Sequence, residues 1–227
     1  MRIAILGNGR MGGRVRELAV KKGHDIACVS DSNNPAKLLD LSIADVAIDF
    51  STPSTAFDNI SHAINSNIPV ISGTTAWLDK LECIHELCKV KDGAFLYSSN
   101  FSLGANIFFE LNKKLAQLMK NQNYQRNIEE THHTQKVDTP SGTAITLAGQ
   151  IEKVLESNTK ILSNRINNTP GTHQVNYSSM IDKIEIKHTA NNRDGFAIGA
   201  IIAAKWIIDK KGIYSMKDIL EGEKLII

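Results

Sequence analysis

Short apolar runs recur through the first hundred residues: Ile3–Leu6, Ile26–Val29, Val46–Phe50, Pro69–Ile71 and Ala94–Tyr97. Runs this short, without polar alternation, read as strands buried on both faces. Mixed segments of helical length separate them, namely Arg14–Lys22, Ser54–Ser66 and Leu78–Val90. Strands alternating with helices predict βαβ units and a parallel sheet with right-handed crossovers. Ligands of such sheets bind at the carboxyl ends of the strands. Between the second and third strands, Asn33-Asn34-Pro35 breaks the chain, and Ala36–Leu41 has room for one or two helical turns.

The pattern changes after Phe101. Leu103–Lys120 carries Ile107, Phe108, Leu111, Leu115, Leu118 and Met119 at helical spacing. A polar-alternating strand is expected near Asn127–His133, then a helix over Gly142–Leu155. Gln174–Met180 and Lys183–His188 read as antiparallel strands with one solvated or interfacial face. Asn164–Thr172 reads as an exposed loop, and Ala197–Ile208 as a final apolar helix. The expected architecture is α/β. A parallel-sheet domain spans 1–102 and 193–227, with a second α+β domain on a mixed or antiparallel sheet over 103–192.

Composition narrows the function classes. The chain has 227 residues, 42% hydrophobic and 22% charged, which is ordinary for a globular protein. A formal net charge of +2, with Lys and Arg scattered, excludes a polybasic nucleic-acid or membrane surface. The cysteines Cys28, Cys83 and Cys88 are odd in number and form no C-x-x-C pair, which fits a reducing compartment. No apolar run approaches the ~20 residues that span a bilayer, and the run before Gly7 is too short for a signal-peptide core. A cytoplasmic protein with neither nucleic-acid nor membrane partners is expected.

Gly7-Asn8-Gly9-Arg10-Met11-Gly12 fits G-x-G-x-x-G, directly after the first strand and at the start of a helix. Gly7 permits the tight turn, Gly9 lets the backbone approach a pyrophosphate, and Gly12 lets helix and strand pack closely. The helix start supplies free N–H groups for phosphates, beside which Arg10 stands. Asp31 ends the second strand nineteen residues beyond Gly12, where a carboxylate can accept both ribose hydroxyls. Ser32 follows it, where an arginine would meet a 2′-phosphate, so NADH is favoured over NADPH. The plainer reading of Asp31 is a turn residue. Ser51–Ser54 reads as turn and cap chemistry. Gly73-Thr74-Thr75 and Ser98-Ser99-Asn100-Phe101 follow the fourth and fifth strands at the same sheet edge, where they could hold the nicotinamide half.

The densest chemistry is Glu129–Ala144, with His132, His133, Lys136 and Asp138 within seven residues. Ser141 reads as the N-cap of a helix beginning at Gly142-Thr143, whose N–H groups could bind a carboxylate. Lys136 could hold a second anionic group, and one histidine could move a proton near neutral pH. Adjacent histidines on a regular strand point to opposite faces, so one of them is structural unless the strand ends there. A metal site of His132, His133 and Asp138 lacks a recognisable ligand spacing and would compete with Lys136. The expectation is therefore no metal.

At these residues the chain resembles the 4-hydroxy-tetrahydrodipicolinate reductase (dihydrodipicolinate reductase) family of bacterial lysine and diaminopimelate synthesis. The resemblance runs through Gly7–Gly12, Val46–Pro53, Gly73–Thr75, Ser99–Asn106, Glu130–Ala144 and His188–Trp206. It implies a Rossmann-type domain, a nicotinamide cofactor, a small dicarboxylate substrate and a homotetramer built through the second sheet. By the same resemblance, His132 is the catalytic proton donor or acceptor and Lys136 a second proton donor. His133, Gly142 and Thr143 contact the substrate. Gly7, Asn8, Gly9, Arg10, Met11, Asp31, Gly73, Thr74, Thr75, Ser98, Ser99, Asn100 and Phe101 line the cofactor. The glycine turn is one residue shorter than the G-x-x-G-x-x-G common in the family, and the stretch from Asp31 to Val46 is compressed. Asn192 stands where the family often has Ser before Arg193. The reading of another class is a non-catalytic nicotinamide-binding regulatory protein, which would tolerate loss of His132 and Lys136.

Overall fold

The computed structural model describes residues 1–167 and 169–222. Asn168, in the expected loop, lies outside them. The chain divides into two compact units, one of Met1–Leu103 with Asp194–Ile227 and one of Gly104–Arg193. Each boundary lies one residue beyond the expected one.

The first unit opens with β1 (Arg2–Leu6), α1 (Arg10–Lys21), β2 (Asp25–Ser30), β3 (Val46–Asp49) and α2 (Pro53–Asn65). It continues through β4 (Val70–Ser72), α3 (Leu81–Val90) and β5 (Ala94–Tyr97). The second unit holds α4 (Leu103–Met119, whose first residue belongs to the first unit), β6 (Gln125–His132) and α5 (Gly142–Leu155), then β7 (Lys160–Arg165), β8 (Thr172–Ser178) and β9 (Lys183–Thr189). The chain returns as α6 (Asp194–Ile207), β10 (Gly212–Tyr214) and α7 (Met216–Glu221). The expected turns after Pro35 are two 3-10 turns, Ala36–Leu38 and Leu41–Ile43.

Six parallel strands lie in the order β10-β5-β4-β3-β1-β2. The central strands are buried on both faces, which is why they read as unbroken apolar runs. On one face Ile3, Ile5, Val46 and Ile48 pack with α1 and α6. On the other, Ala4, Leu6, Ala47 and Val70 pack with α2 and α3. Helix α6 is alanine-rich on its buried side, so it lies close to the sheet. A side chain at Gly199 would stand 1.8 Å from the Phe101 carbonyl oxygen. Chain order reverses at β1, whose neighbours are β2 and β3, so the turn after β1 sits at the switch point of the sheet.

The second unit is a mixed sheet in the order β7-β6-β8-β9, with β6–β7 parallel and the other pairs antiparallel. One face carries Ile128, Val175 and Tyr177 against Phe108 and Ala116 of α4 and Leu147, Ala148 and Ile151 of α5. The other is polar: Asn176 donates to Asn127 and Glu129, and Gln174 donates to Asn176 and Glu185. Strand β7 occupies the start of the expected loop. It is an edge strand with only partly buried side chains, so no apolar run announces it.

Candidate active site

In the first unit the nucleotide-type features gather at the carboxyl edge of the sheet. Gly7 has φ +100°, and its N–H donates to the Ser30 carbonyl at 3.2 Å. A side chain at Gly12 would stand 1.8 Å from the Gly7 carbonyl oxygen, so turn and helix touch. A side chain at Gly9 would meet nothing within 4 Å. Helix α1 starts with no side-chain cap and no acidic residue in its first turn. Open space before unclaimed N–H groups fits a pyrophosphate. Asn8 and Arg10 are exposed beside it, and Met11 is half-buried. Asp31 Oδ1 accepts from the N–H groups of Asn33 and Asn34, so the carboxylate also turns the chain.

The other two loops are held from within. Asp49 is fully buried at the end of β3 and accepts from Ser51 Oγ (2.6 Å), Thr74 Oγ1 (2.7 Å), Ser72 Oγ (2.8 Å) and Asn59 Nδ2 (3.4 Å). Burial pushes its pKa up against these bonds. Thr74 therefore points inward, and the Gly73–Thr75 loop offers backbone, with Trp77 Nε1 donating to the Thr74 carbonyl. Thr75 is exposed. Ser98 Oγ bonds both backbone groups of Asn100, and Asn100 Oδ1 accepts from the Ser102 N–H. Ser99 is exposed, while the Phe101 ring belongs to the core. Asp49→Leu is expected to cost about 3 kcal/mol or more, because it strands several buried donors. Urea unfolding curves would register that loss.

In the second unit the core-facing row of β6 reads Ile128, Glu130, His132. It passes from hydrocarbon to chemistry as the strand ends. Register sets Glu130 opposite His173 of β8 and His132 opposite Arg165 of β7. Glu130 Oε1 accepts from Arg165 Nη1 (3.1 Å) and the Ser141 N–H (3.3 Å). Glu130 Oε2 lies 2.5 Å from His132 Nδ1, out of line for an ideal hydrogen bond. The His132 and His173 rings meet edge-on at 4.9 Å. Ser141 Oγ shares a 2.9 Å hydrogen bond with His173 Nε2 and accepts from the Ala144 N–H, capping α5.

Burial raises the Glu130 pKa, but bonds from Ser163, Ser141 and Arg165 and the charge of His132 overcome it, leaving the group a carboxylate. Burial lowers the His132 pKa; Glu130 opposes this, Lys136 and Arg165 add to it, and the net shift is down. Glu130, His132 and His173 have the ligand types of a metal site. Arg165 and Ser141 already engage two of the three.

Burial pushes the His173 pKa down to about 4, with the neighbouring His132 adding to the effect. The folded protein thus resists a proton that the unfolded chain accepts near its ordinary value of 6.5. Between these values the unfolded state binds more protons, so stability is full above pH 6.5 and falls toward pH 4. The size is roughly 3 kcal/mol. Melting temperature against pH should fall less steeply in His173→Gln than in the wild type.

Strand β6 ends at His132, so His133 leaves the strand's alternation. With Thr134, Gln135, Asn167, Thr169, Pro170 and Arg193 it lines a hollow of about 360 Å³. The two histidines occupy different surroundings. Lys136 Nζ contacts both Asp138 oxygens, at 2.6 and 2.8 Å, and the Gly142 N–H also supports that carboxylate. The chain's own Asp138 therefore occupies two of the donors read as substrate-carboxylate binders. Space beside Gly142 is open, and Thr143 is half-exposed. Glu130, Arg165, His173 and Asp49 carry the site's internal bonding, yet sequence reasoning assigned none of them a role. Glu130 and Asp49 lie inside the motif segments, Arg165 lies in the stretch expected to be an exposed loop, and His173 lies just before the expected strand.

Comparisons with known proteins follow the same division. The family description "Dihydrodipicolinate reductase, N-terminus" matches residues 1–101, and "Dihydrodipicolinate reductase, C-terminus" matches 104–220. The chain is 50% identical to the 4-hydroxy-tetrahydrodipicolinate reductase of Christiangramia forsetii, over 97% of this chain and 98% of that protein. It is 36% identical to the protein of the same name from Thermosipho africanus, over 97% and 98%. The fold is shared with a dipicolinate-bound dihydrodipicolinate reductase from Paenisporosarcina sp. TG-14, at TM-score 0.79 and 23% identity over 95% of this chain and 97% of that one.

Proposed function

The chain belongs to the dihydrodipicolinate reductase family of oxidoreductases, and from that footing we propose that it reduces 4-hydroxy-tetrahydrodipicolinate to tetrahydrodipicolinate with a nicotinamide nucleotide. The observation that carries this reading is the pairing of an open Gly9 turn in one unit with a Lys136–Gly142 carboxylate cradle, already holding Asp138, in the other. Bound reduced nicotinamide supplies a hydride. Gly9 and the first N–H groups of α1 take the pyrophosphate, and Asp31, with one oxygen turned to its own loop, offers the other to the ribose. Ser32 brings no cation for a 2′-phosphate, so NADH is preferred over NADPH.

Lys136, Gly142 and Thr143 exchange Asp138 for a substrate carboxylate, and His133 meets the substrate from the neighbouring hollow. The 4-hydroxyl and a proton from the adjacent ring carbon leave together as water, which forms a carbon–carbon double bond conjugated with the ring imine. A hydride received at the former hydroxyl carbon makes the C–H bond there and moves that double bond's electron pair toward the imine nitrogen, giving an enamine-type anion. His132, assisted by Lys136, protonates the adjacent carbon. His132 is neutral beforehand; a dianion arriving near it favours the imidazolium, so proton and substrate come together. The polar outer face of the second sheet joins copies into a homotetramer, which light scattering after size exclusion measures.

The decisive experiment couples the chain to a synthase that makes the substrate and follows oxidation of NADH and of NADPH. Turnover, faster with NADH, is the expected result. Nucleotide binding without turnover would favour a regulatory protein instead. Among the described residues no helix is long and apolar enough to cross a membrane.

A further inference from the structure

We propose that Glu130 is a positioning residue for proton transfer, holding His132 with a proton on Nδ1 so that Nε2 is the atom that exchanges protons with the substrate. The inference rests on the reductase reading above. Glu130 is wholly buried, two residues before His132 on the same face of β6. Its two oxygens are divided. Oε1 faces Arg165 and the start of α5, and Oε2 faces His132 Nδ1. A carboxylate accepts only, so a ring nitrogen against it must carry the proton. Arg165 enforces the carboxylate form, because a neutral acid there would leave the guanidinium without its counter-charge.

The other edge of the ring is kept clear. Any side chain at Gly171 would stand 3.1 Å from His132 Nε2. His173, tied to Ser141, lies edge-on against the ring and limits its rotation. The groups facing His132 are Glu130 on its own strand, Arg165 on β7, His173 on β8 with His188 beyond it, and Lys136 in the following loop. Glu130 is the anion among them. The pair already stands at 2.5 Å, so what the imidazolium gains as it forms is alignment of its Nδ1–H with Oε2 and not a shorter distance. The same carboxylate holds the Ser141 N–H, so it ties the proton carrier to the start of the carboxylate-binding helix.

The test is Glu130→Gln, assayed for kcat, KM and pH dependence, alongside nitrogen-15 NMR of the His132 ring. Glutamine keeps the shape, but its NH2 can donate to Nδ1 and push the ring proton onto Nε2. The expected result is a loss in kcat on the order of 100-fold or more, with KM values within about threefold. The alkaline limb of the kcat/KM profile, where the imidazolium loses its proton, should move to lower pH, because the anion favouring the imidazolium is gone. A lost structural bond alone would leave that limb in place. In the wild type, neutral His132 should carry its proton on Nδ1. Unchanged kcat and pH profile in folded Glu130→Gln would overturn the proposal, as would a wild-type proton on Nε2. Should the variant not fold, the wild-type NMR result decides. A wild type without turnover would refute the reductase reading, while its ring tautomer would still be measurable.

Discussion

Gly9→Val should lose nicotinamide-nucleotide binding while its thermal unfolding stays where the wild type's is. Gly9 sits in extended backbone, φ −73° and ψ −166°, which valine adopts, and a side chain there meets nothing within 4 Å. The fold has no objection to it. The isopropyl group would stand in the space before the first N–H groups of α1, where a pyrophosphate must come into contact. Two such charge-assisted bonds, at about 1.5–3 kcal/mol each, make a weakening of at least 100-fold a modest expectation. Calorimetric titration with NADH and a melting curve measure the two quantities. Wild-type affinity in this variant would remove the glycine turn from the binding site. Gly12→Val offers the contrast, since its side chain collides with the Gly7 carbonyl. There stability and binding should fail together.

Lys136→Ala carries the other large effect, a fall in kcat/KM of roughly 1,000-fold or more. Two losses combine. A charge-assisted bond to the substrate carboxylate is worth about 1.5–3 kcal/mol, and assistance to proton transfer contributes about 100-fold or more to kcat. The removal also leaves the Asp138 carboxylate without its cation beside the Gly142 N–H, where it repels the incoming dianion. Lys136→Ala with Asp138→Asn should therefore recover part of the KM loss and none of the kcat loss. Steady-state kinetics on the single and double variants separate the terms. Equal KM in both would show that Asp138 does not compete with substrate, and near-wild-type kinetics in Lys136→Ala would end the catalytic assignment.

The sequence disclosed what is local. Val46–Phe50 reads as a strand because a parallel strand covered on both faces needs apolar residues throughout. Gly7–Gly12 reads as a phosphate turn because strand, glycines and helix are contiguous. The capped start of α5 at Ser141 was legible for the same reason. Strand β10 was not, being three residues at a sheet edge. Helix α7 was missed although Ser215 and Asp218 form a capping box. In the candidate site, His132 and Lys136 stand out because they are four residues apart in a dense segment. Arg165 and His173 reach the same cluster only through the pairing register of β6 with β7 and β8. Register depends on which faces are buried, and nothing near Arg165 states it. The engagement of Lys136 by Asp138 was likewise invisible, since spacing alone cannot tell an available cation from an occupied one.

The row Ile128, Glu130, His132 has a consequence for how this protein acquires competence. Slipping β6 by one residue against its neighbours would bring Asn127, Glu129 and Thr131 inward, placing polar groups against Leu147 and Ile151 and turning the imidazole outward. The hydrocarbon that selects the correct alignment thereby selects the reactive one. During maturation, appearance of turnover should coincide with the last cooperative folding step of this sheet, without an inactive but fully packed intermediate.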